Sequence, residues 1–410
     1  MKAAIKTRVI VIVRSLLIAG VVFGPLSVRP PGAALAQPLS PRAALERLMT
    51  ALHYRADWFA PGFRVNGVSY SPAQLELGRA STEAQFGPFT GLRPQPGGSY
   101  LLFYRTAVQR TSLTLDGRGR VAAWELGAPK LKANRVDVGG YRLYIHCLGT
   151  GSPTVLLEAG LGSPSEVWGL VQPAVARVTR VCAYDRAGVG GSDAGPRPRT
   201  SATIVAELHT LLNRTGITGP YVLVGHSLGG FHVRLYAGRY PREVVGMVLV
   251  DASHPDQIAR ELAVLPPRRP HESPFLTRLR ASLTSIRPEP TEGLDLRASA
   301  AQVRAVGSLG ARPLVVLTRG QLGDGFPPDV PADVVRRDGQ VWQDLQNRLA
   351  RLSSDSTHVI ARESGHFIQV QQPQLVSEAI RQVVLSVRTH AALAPCGTAY
   401  RELGGVCARP

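Results

Sequence analysis

The hexapeptide Gly225-His226-Ser227-Leu228-Gly229-Gly230 directly follows the apolar run Tyr221-Val222-Leu223-Val224 and leads into a segment of helical pattern. This is the G-x-S-x-G arrangement, in which a serine stands on a sharp strand-to-helix turn. The glycines have a steric reason, because a side chain at 225 or 229 would strike neighbouring backbone. Such a turn lifts Ser227 clear of the strand, with its hydroxyl near the positive end of the following helix, ready to attack an acyl carbonyl. A hydroxyl is a poor nucleophile until a base takes its proton, so the turn also requires a histidine from elsewhere in the chain. The reaction passes through an oxyanion, which requires backbone N–H donors as well.

The elements that must carry these groups are visible after Pro129. Apolar runs at Tyr141–Cys147, Thr154–Glu158, Val181–Tyr184, Tyr221–Val224, Val245–Val250, Leu314–Thr318 and His358–Ala361 alternate with helical stretches such as Ser201–Arg214 and Gly230–Tyr240. Short buried strands alternating with helices predict an α/β architecture, a mostly parallel sheet covered on both faces. Ligands of such sheets bind at the carboxyl ends of the strands. The Pro- and Arg-rich stretch from about 254 to 310 lacks strand patterns and lies between two core strands, which predicts a cap over the site. Its apolar residues Leu262, Leu265 and Phe275 fit an acyl-chain shelter or, the preferred reading, the cap's own small core. Before this region, residues 37–130 read as a small α+β domain. A helix is expected over Pro41–His53, capped by Ser40, and strands over Ser99–Ala107, Thr111–Thr114 and Val121–Leu126.

From Arg135 to Val384 these features resemble the α/β-hydrolase superfamily. The segment Tyr184-Asp185-Arg186-Ala187-Gly188-Val189-Gly190-Gly191-Ser192 is similar to the turn that follows a core strand there. The resemblance implies an α/β-hydrolase fold with a cap insertion, spanning residues 131–390 and preceded by the small domain. Asp185 and Arg186 read as structural holders of their turn. The sequence Ser364-Gly365-His366-Phe367, with Gln372-Pro373 after it, resembles the family's histidine loop, which makes His366 the expected base. His226, His254, His358 and His146 take structural readings. Family order places the acid between nucleophile and histidine, at a strand end. Asp251, ending Gly246–Val250, is preferred, and Asp324 after Leu314–Thr318 is the rival.

The same resemblance implies an oxyanion hole built from the N–H groups of Leu228 and of Leu161 in Glu158-Ala159-Gly160-Leu161-Gly162. Relatives often carry His-Gly where this chain has Ala159-Gly160, but the donor is backbone, so the hole is expected to survive. Glu158 reads as an internal hydrogen-bond partner. Cys147 and Cys182 fall on segments that are neighbours in the family's strand order, which implies a disulfide across them. The elbow carries Ser where epoxide hydrolases and haloalkane dehalogenases carry Asp, so those chemistries are not expected. The expected activity is cleavage of an ester, or secondarily an amide, in a small-molecule substrate without metal or organic cofactor. A non-catalytic binding protein on the same scaffold is the alternative.

Residues 1–36 have the anatomy of a signal peptide: Lys2, Lys6, Arg8 and Arg14, the apolar run Leu16–Phe23, and Ala34-Leu35-Ala36 before Gln37. The mature chain is therefore expected to be secreted or periplasmic, without stable membrane insertion; an uncleaved anchor is the alternative. Export permits disulfides, and Cys396 and Cys407 are placed to tie down the tail at 391–410. The formal charge of +18 across 410 residues loses five units with the signal segment and stays basic. The excess is dispersed Arg with no recognition motif, so no nucleic-acid partner is expected, and no motif specifies an oligomeric state.

Overall fold

The computed structural model describes residues 40–408 except 52–53, 66–74, 77–78, 80–81, 84–88, 96–98, 105–106, 127–129, 132–134 and 324. The expected signal segment and the rival acid Asp324 lie outside the described residues. Contacts divide the chain into two compact units, between Ala133 and Asn134.

The first unit opens with helix α1, Pro41–Thr50. The Ser40 hydroxyl accepts the Ala43 N–H at 3.2 Å, with proline in the first helical turn. The helix ends short of the expected position because Ala51 is already extended. Ala44, Leu45, Leu48 and Met49 form its buried face. Strands β1 (Phe59–Val65), β2 (Phe89–Pro94), β3 (Ser99–Tyr104), β4 (Ala107–Leu115), β5 (Val121–Leu126) and β6 (Lys130–Leu131) form one sheet. Their order is β1-β5-β4-β3-β2, with β6 on β4. Strands β1 and β2 were not expected, because Phe59-Ala60-Pro61-Gly62 and Phe89-Thr90-Gly91 read as loop. Both are end strands of the described sheet, where a proline's missing N–H and a glycine's freedom are tolerated. Leu45, Leu48, Leu102, Tyr104 and Trp124 form its core, where the Trp124 indole N–H donates to the Thr111 hydroxyl at 2.8 Å.

The second unit contains β7 (Arg135–Asp137), β8 (Arg142–Leu148), β9 (Thr154–Glu158), β10 (Val181–Tyr184), β11 (Tyr221–His226), β12 (Val244–Val250), β13 (Leu314–Arg319), β14 (Ser356–Ala361) and β15 (Gly405–Cys407). The sheet order is β15-β14-β13-β12-β11-β9-β10-β8-β7. The six strands from β9 to β14 pair in parallel, and at the ends β8 pairs antiparallel with β10, β7 with β8 and β15 with β14. Continuous apolar runs serve these strands because both faces are covered. On β11, Tyr221 and Leu223 pack with Val205, Leu208 and Leu211 of α2 (Ser201–Thr215) and with Val233 and Tyr236 of α3 (Gly229–Arg239). The alternating residues Val222 and Val224 pack on the other face among Val376, Ala379, Ile380 and Val383.

The cap between β12 and β13 is helical: α4 (Gln257–Val264), α5 (Pro274–Thr284) and α6 (Leu296–Arg304). Leu265 and Phe275 join Leu276, Leu279, Phe326, Val330 and Val334 in a cluster belonging to this end of the fold. Helix α7 (Ala332–Ala350) connects β13 to β14, and α8 (Pro373–Thr389) closes the unit. Cys147 and Cys182 face each other in the β8–β10 register and are bonded, with Cα atoms 4.0 Å apart. Cys396 and Cys407 are also bonded. The expected tail supplies β15, whose three residues carry too short a pattern to read as a strand.

Candidate active site

Ser227 sits between β11 and α3 at φ +51°, a left-handed conformation that costs a non-glycine residue about 1–2 kcal/mol. The surrounding backbone holds it there. The Ser227 N–H donates to Val250 O (3.1 Å), and its carbonyl accepts the N–H groups of Gly230 (2.9 Å) and Ser253 (2.8 Å). The turn has no room for side chains beside the serine. A Cβ at 225 would lie 2.8 Å from the Gly229 backbone, and one at 229 would lie 2.5 Å from Glu158 O and 2.8 Å from Ala159 O.

Asp251 follows β12, fully buried and also at positive φ, +42°. One carboxylate oxygen accepts the Arg319 N–H (3.0 Å) and the Trp342 indole N–H (2.7 Å). The other accepts the Arg319 guanidinium (3.2 Å) and His366 Nδ1 (2.7 Å). Burial pushes this carboxyl up, but the Arg319 charge and the donated hydrogen bonds overcome it and hold Asp251 below its ordinary value. An ionised carboxylate only accepts, so Nδ1 of His366 carries the proton and Nε2 is left as an acceptor.

His366 stands in the loop after β14, which Gln371 and Gln372 brace. Gln371 Oε1 accepts the Gly365 N–H at 2.7 Å, and Gln372 Oε1 accepts the Ser364 hydroxyl at 2.8 Å and the Glu363 N–H at 3.1 Å. The His366 carbonyl accepts Nε2–H of His226 at 2.9 Å, and the two rings lie 4.7 Å apart. The histidine loop therefore packs against the residue preceding Ser227. The structure thus brings together Ser227, His366 and Asp251 at the carboxyl ends of the sheet.

The loop after β9 adjoins them. A Cβ on Gly160 would lie 3.1 Å from the Ser227 Cβ, and Leu161 shares an apolar cluster with Leu228. Among the described residues, no turn or cap carbonyl takes the N–H of either leucine. Asp185 holds its turn by accepting the N–H groups of Ser165 (2.6 Å) and Gly191 (2.7 Å). The Arg186 guanidinium points instead to the loop after β9, donating to Ala159 O and Gly160 O. Arg319 and Trp342 were not singled out in the sequence; they lie 68 and 91 residues from Asp251 with no local motif between.

Three other histidines are held neutral by their surroundings. Burial, then the neighbouring His366, pushes His226 down to about 3. Burial pushes His358 to about 4, and burial with Arg234 does the same to His254. Each stays neutral in the folded chain while the unfolded chain takes up protons near 6.5, so these groups stabilise the fold above that value and lose their contribution as pH falls. Glu166 and Glu261, pushed up to about 7 by burial, act in the opposite sense between 7 and 4.5. Thermal melts across pH are therefore expected to change little between 7 and 4.5. Below about 4.5 the melting temperature should drop steeply, and an undiminished value at pH 3 would contradict this balance.

The model of the alpha/beta hydrolase fold family matches residues 153–272. The Bacillus subtilis (strain 168) protein YqjL is 30% identical over 238 residues, which span 58% of this chain and 86% of that protein. An AB hydrolase superfamily protein of Gibberella zeae is 25% identical over 293 residues, covering 58% of this chain and 87% of its own length. A thermophilic esterase from Thermogutta terrifontis superposes with a TM-score of 0.43 at 23% identity, covering 62% of this chain and 99% of the esterase. The chain belongs to the alpha/beta hydrolase fold family.

Proposed function

We propose that the protein is a serine hydrolase that cleaves an ester bond, or secondarily an amide bond, through an acyl-enzyme intermediate. The observation that carries this reading is the 2.7 Å bond between His366 and the buried Asp251, standing beside a serine held at positive φ. In this scheme Ser227 attacks the acyl carbonyl, and Nε2 of His366 takes its proton and returns it to the leaving group. Asp251 keeps the imidazole in the required tautomer and stabilises the imidazolium. The N–H groups of Leu161 and Leu228 bind the oxyanion, and water then releases the acyl group. The two disulfides support an exported protein, as does the signal-like segment 1–36.

The test is labelling of the purified protein with a fluorophosphonate, mass mapping of the modified peptide, and turnover of p-nitrophenyl esters of increasing chain length. Modification at Ser227 together with ester turnover is expected. A folded protein that neither labels nor turns over any ester would return the reading to a binding protein on this scaffold.

A further inference from the structure

A buried ion cluster lies behind the loop that carries Leu161. Arg186, Glu158 and Glu292 are each 1–2% exposed. Arg186 uses all five of its N–H groups. Its Nε donates to Glu292 at 2.8 Å, and its Nη1 donates to Glu158 and to Ala159 O, both at 2.7 Å. Its Nη2 donates to Glu292 and to Gly160 O, both at 2.6 Å. Glu292 Oε1 also accepts the Gly162 N–H at 2.7 Å. The groups on both sides of Leu161 are thereby fixed to one pair of side chains.

Peptide planarity makes this contact directional. Gly160 O and the Leu161 N–H belong to the same peptide unit and point in opposite directions across it. Holding the carbonyl on Arg186 therefore aims the N–H away from Arg186, and the Gly160 side of that loop faces Ser227. Glu292 comes from the cap, between α5 and α6, where the chain is strapped to the core. Arg197 donates to Pro290 O (3.0 Å) and Thr291 O (2.8 Å). The Arg199 N–H donates to Gly293 O (2.9 Å), and Arg199 O accepts the Asp295 N–H (2.8 Å).

We propose that Glu292 is a positioning residue supplied by the cap: by fixing Arg186 it orients the Leu161 N–H, so that oxyanion stabilisation depends on the cap being docked. The proposal rests on the serine-hydrolase reading above. The pair stays ionised over the working range, because burial would raise Glu292 but the Arg186 charge and the Gly162 N–H bring it down to about 2. The arrangement also ties specificity to rate, since a substrate that displaces the cap segment would disturb the donor that its own carbonyl needs.

The experiment compares wild type, Glu292→Gln and Arg197→Ala on a short p-nitrophenyl ester, with rates referred to sites titrated by fluorophosphonate. Hydrogen exchange of residues 159–163 is followed in parallel. Glu292→Gln is expected to lower kcat at least about tenfold, approaching the 10²- to 10³-fold loss of an oxyanion donor, with KM within about twofold. Exchange in the 159–163 loop should accelerate. Arg197 is exposed, so its alanine variant keeps the fold if Glu292→Gln does not; it should lower kcat in the same sense by a smaller factor. A purely structural role predicts a lower melting temperature with unchanged kcat per titrated site, and that result in whichever variant folds overturns the proposal. An inactive, unlabelled wild type overturns the serine-hydrolase reading and this proposal with it, whereas an active wild type with unaffected variants overturns this proposal alone.

Discussion

Ser227→Ala is expected to lower kcat on an activated ester by about 10⁶-fold and to abolish fluorophosphonate labelling. On the proposed mechanism the size follows from the cooperation of the three groups. Without the hydroxyl there is nothing for His366 to deprotonate, and what remains is the roughly 10³- to 10⁴-fold advantage of the oxyanion hole and binding over water. His366→Ala should cost nearly as much, and the double variant should be no worse than either single one, because each removes the same step. The fold should tolerate the serine change. Ser227 is held by its backbone hydrogen bonds to Val250, Gly230 and Ser253, which alanine keeps, and alanine meets the same positive φ. Melting curves that nearly coincide, together with lost turnover, would assign the defect to chemistry. Residual activity above about one per cent in Ser227→Ala would remove this serine from the mechanism.

The parts of the site that could be read from sequence are those with local geometry. The elbow is legible because strand, glycine spacing and helix are contiguous, and the contacts that forbid side chains at 225 and 229 arise where that spacing predicts. His366 is proposed from the likeness of its loop to the family's histidine loop, and Asp251 is preferred to Asp324 from family order and its place after a strand. The bond between His366 and Asp251 spans 115 residues and no periodicity encodes it. The same limit hid Arg319 and Trp342, which hold the carboxylate from β13 and α7. It also hid Glu292, which meets Arg186 across 106 residues of chain. Arg186 reads from sequence as a holder of its own turn, but its guanidinium reaches the loop after β9, and Asp185, Ser192 and Arg199 brace the turn. A buried arginine must find acceptors for five donors, and the sequence names the demand without naming the suppliers.

The parallel strands of the second unit were legible for a related reason. Each is apolar without alternation because helices cover both faces, and that composition survives without knowledge of the neighbours. Strands β1 and β2 lack this signature. Their prolines and glycines are permitted only because they lie at the ends of the described sheet, a position that depends on the finished fold. Strand β15 is three residues long and owes its place to β14 beside it and to the Cys396–Cys407 bond.

Asp251→Asn is expected to lower kcat by about 10⁴-fold with the fold intact, while Asp324→Asn stays within about twofold of wild type. The argument rests on the four donors that converge on this carboxylate. The Arg319 N–H and the Trp342 indole meet one oxygen; the Arg319 guanidinium and His366 Nδ1 meet the other. An asparagine amide supplies one acceptor and one donor group, so in either orientation an N–H₂ faces groups that can only donate, unless the imidazole changes tautomer. Two unchangeable donors at 3.0 and 2.7 Å meet the first oxygen, whereas beside His366 the other meets only the longer Arg319 guanidinium contact at 3.2 Å, which drives the amide nitrogen towards His366. Nδ1 then becomes the acceptor and Nε2 carries the proton, so the ring can no longer accept one from Ser227. Loss of the negative charge also leaves Arg319 without its ion-pair partner, for a stability loss of about 1–3 kcal/mol. On the reading that Asp251 is the acid, changing Asp324 brings neither consequence. If Asp324→Asn proved the severe variant and Asp251→Asn retained near-normal turnover, the hydrogen bond to His366 would be a structural contact and the acid would belong to the loop after β13.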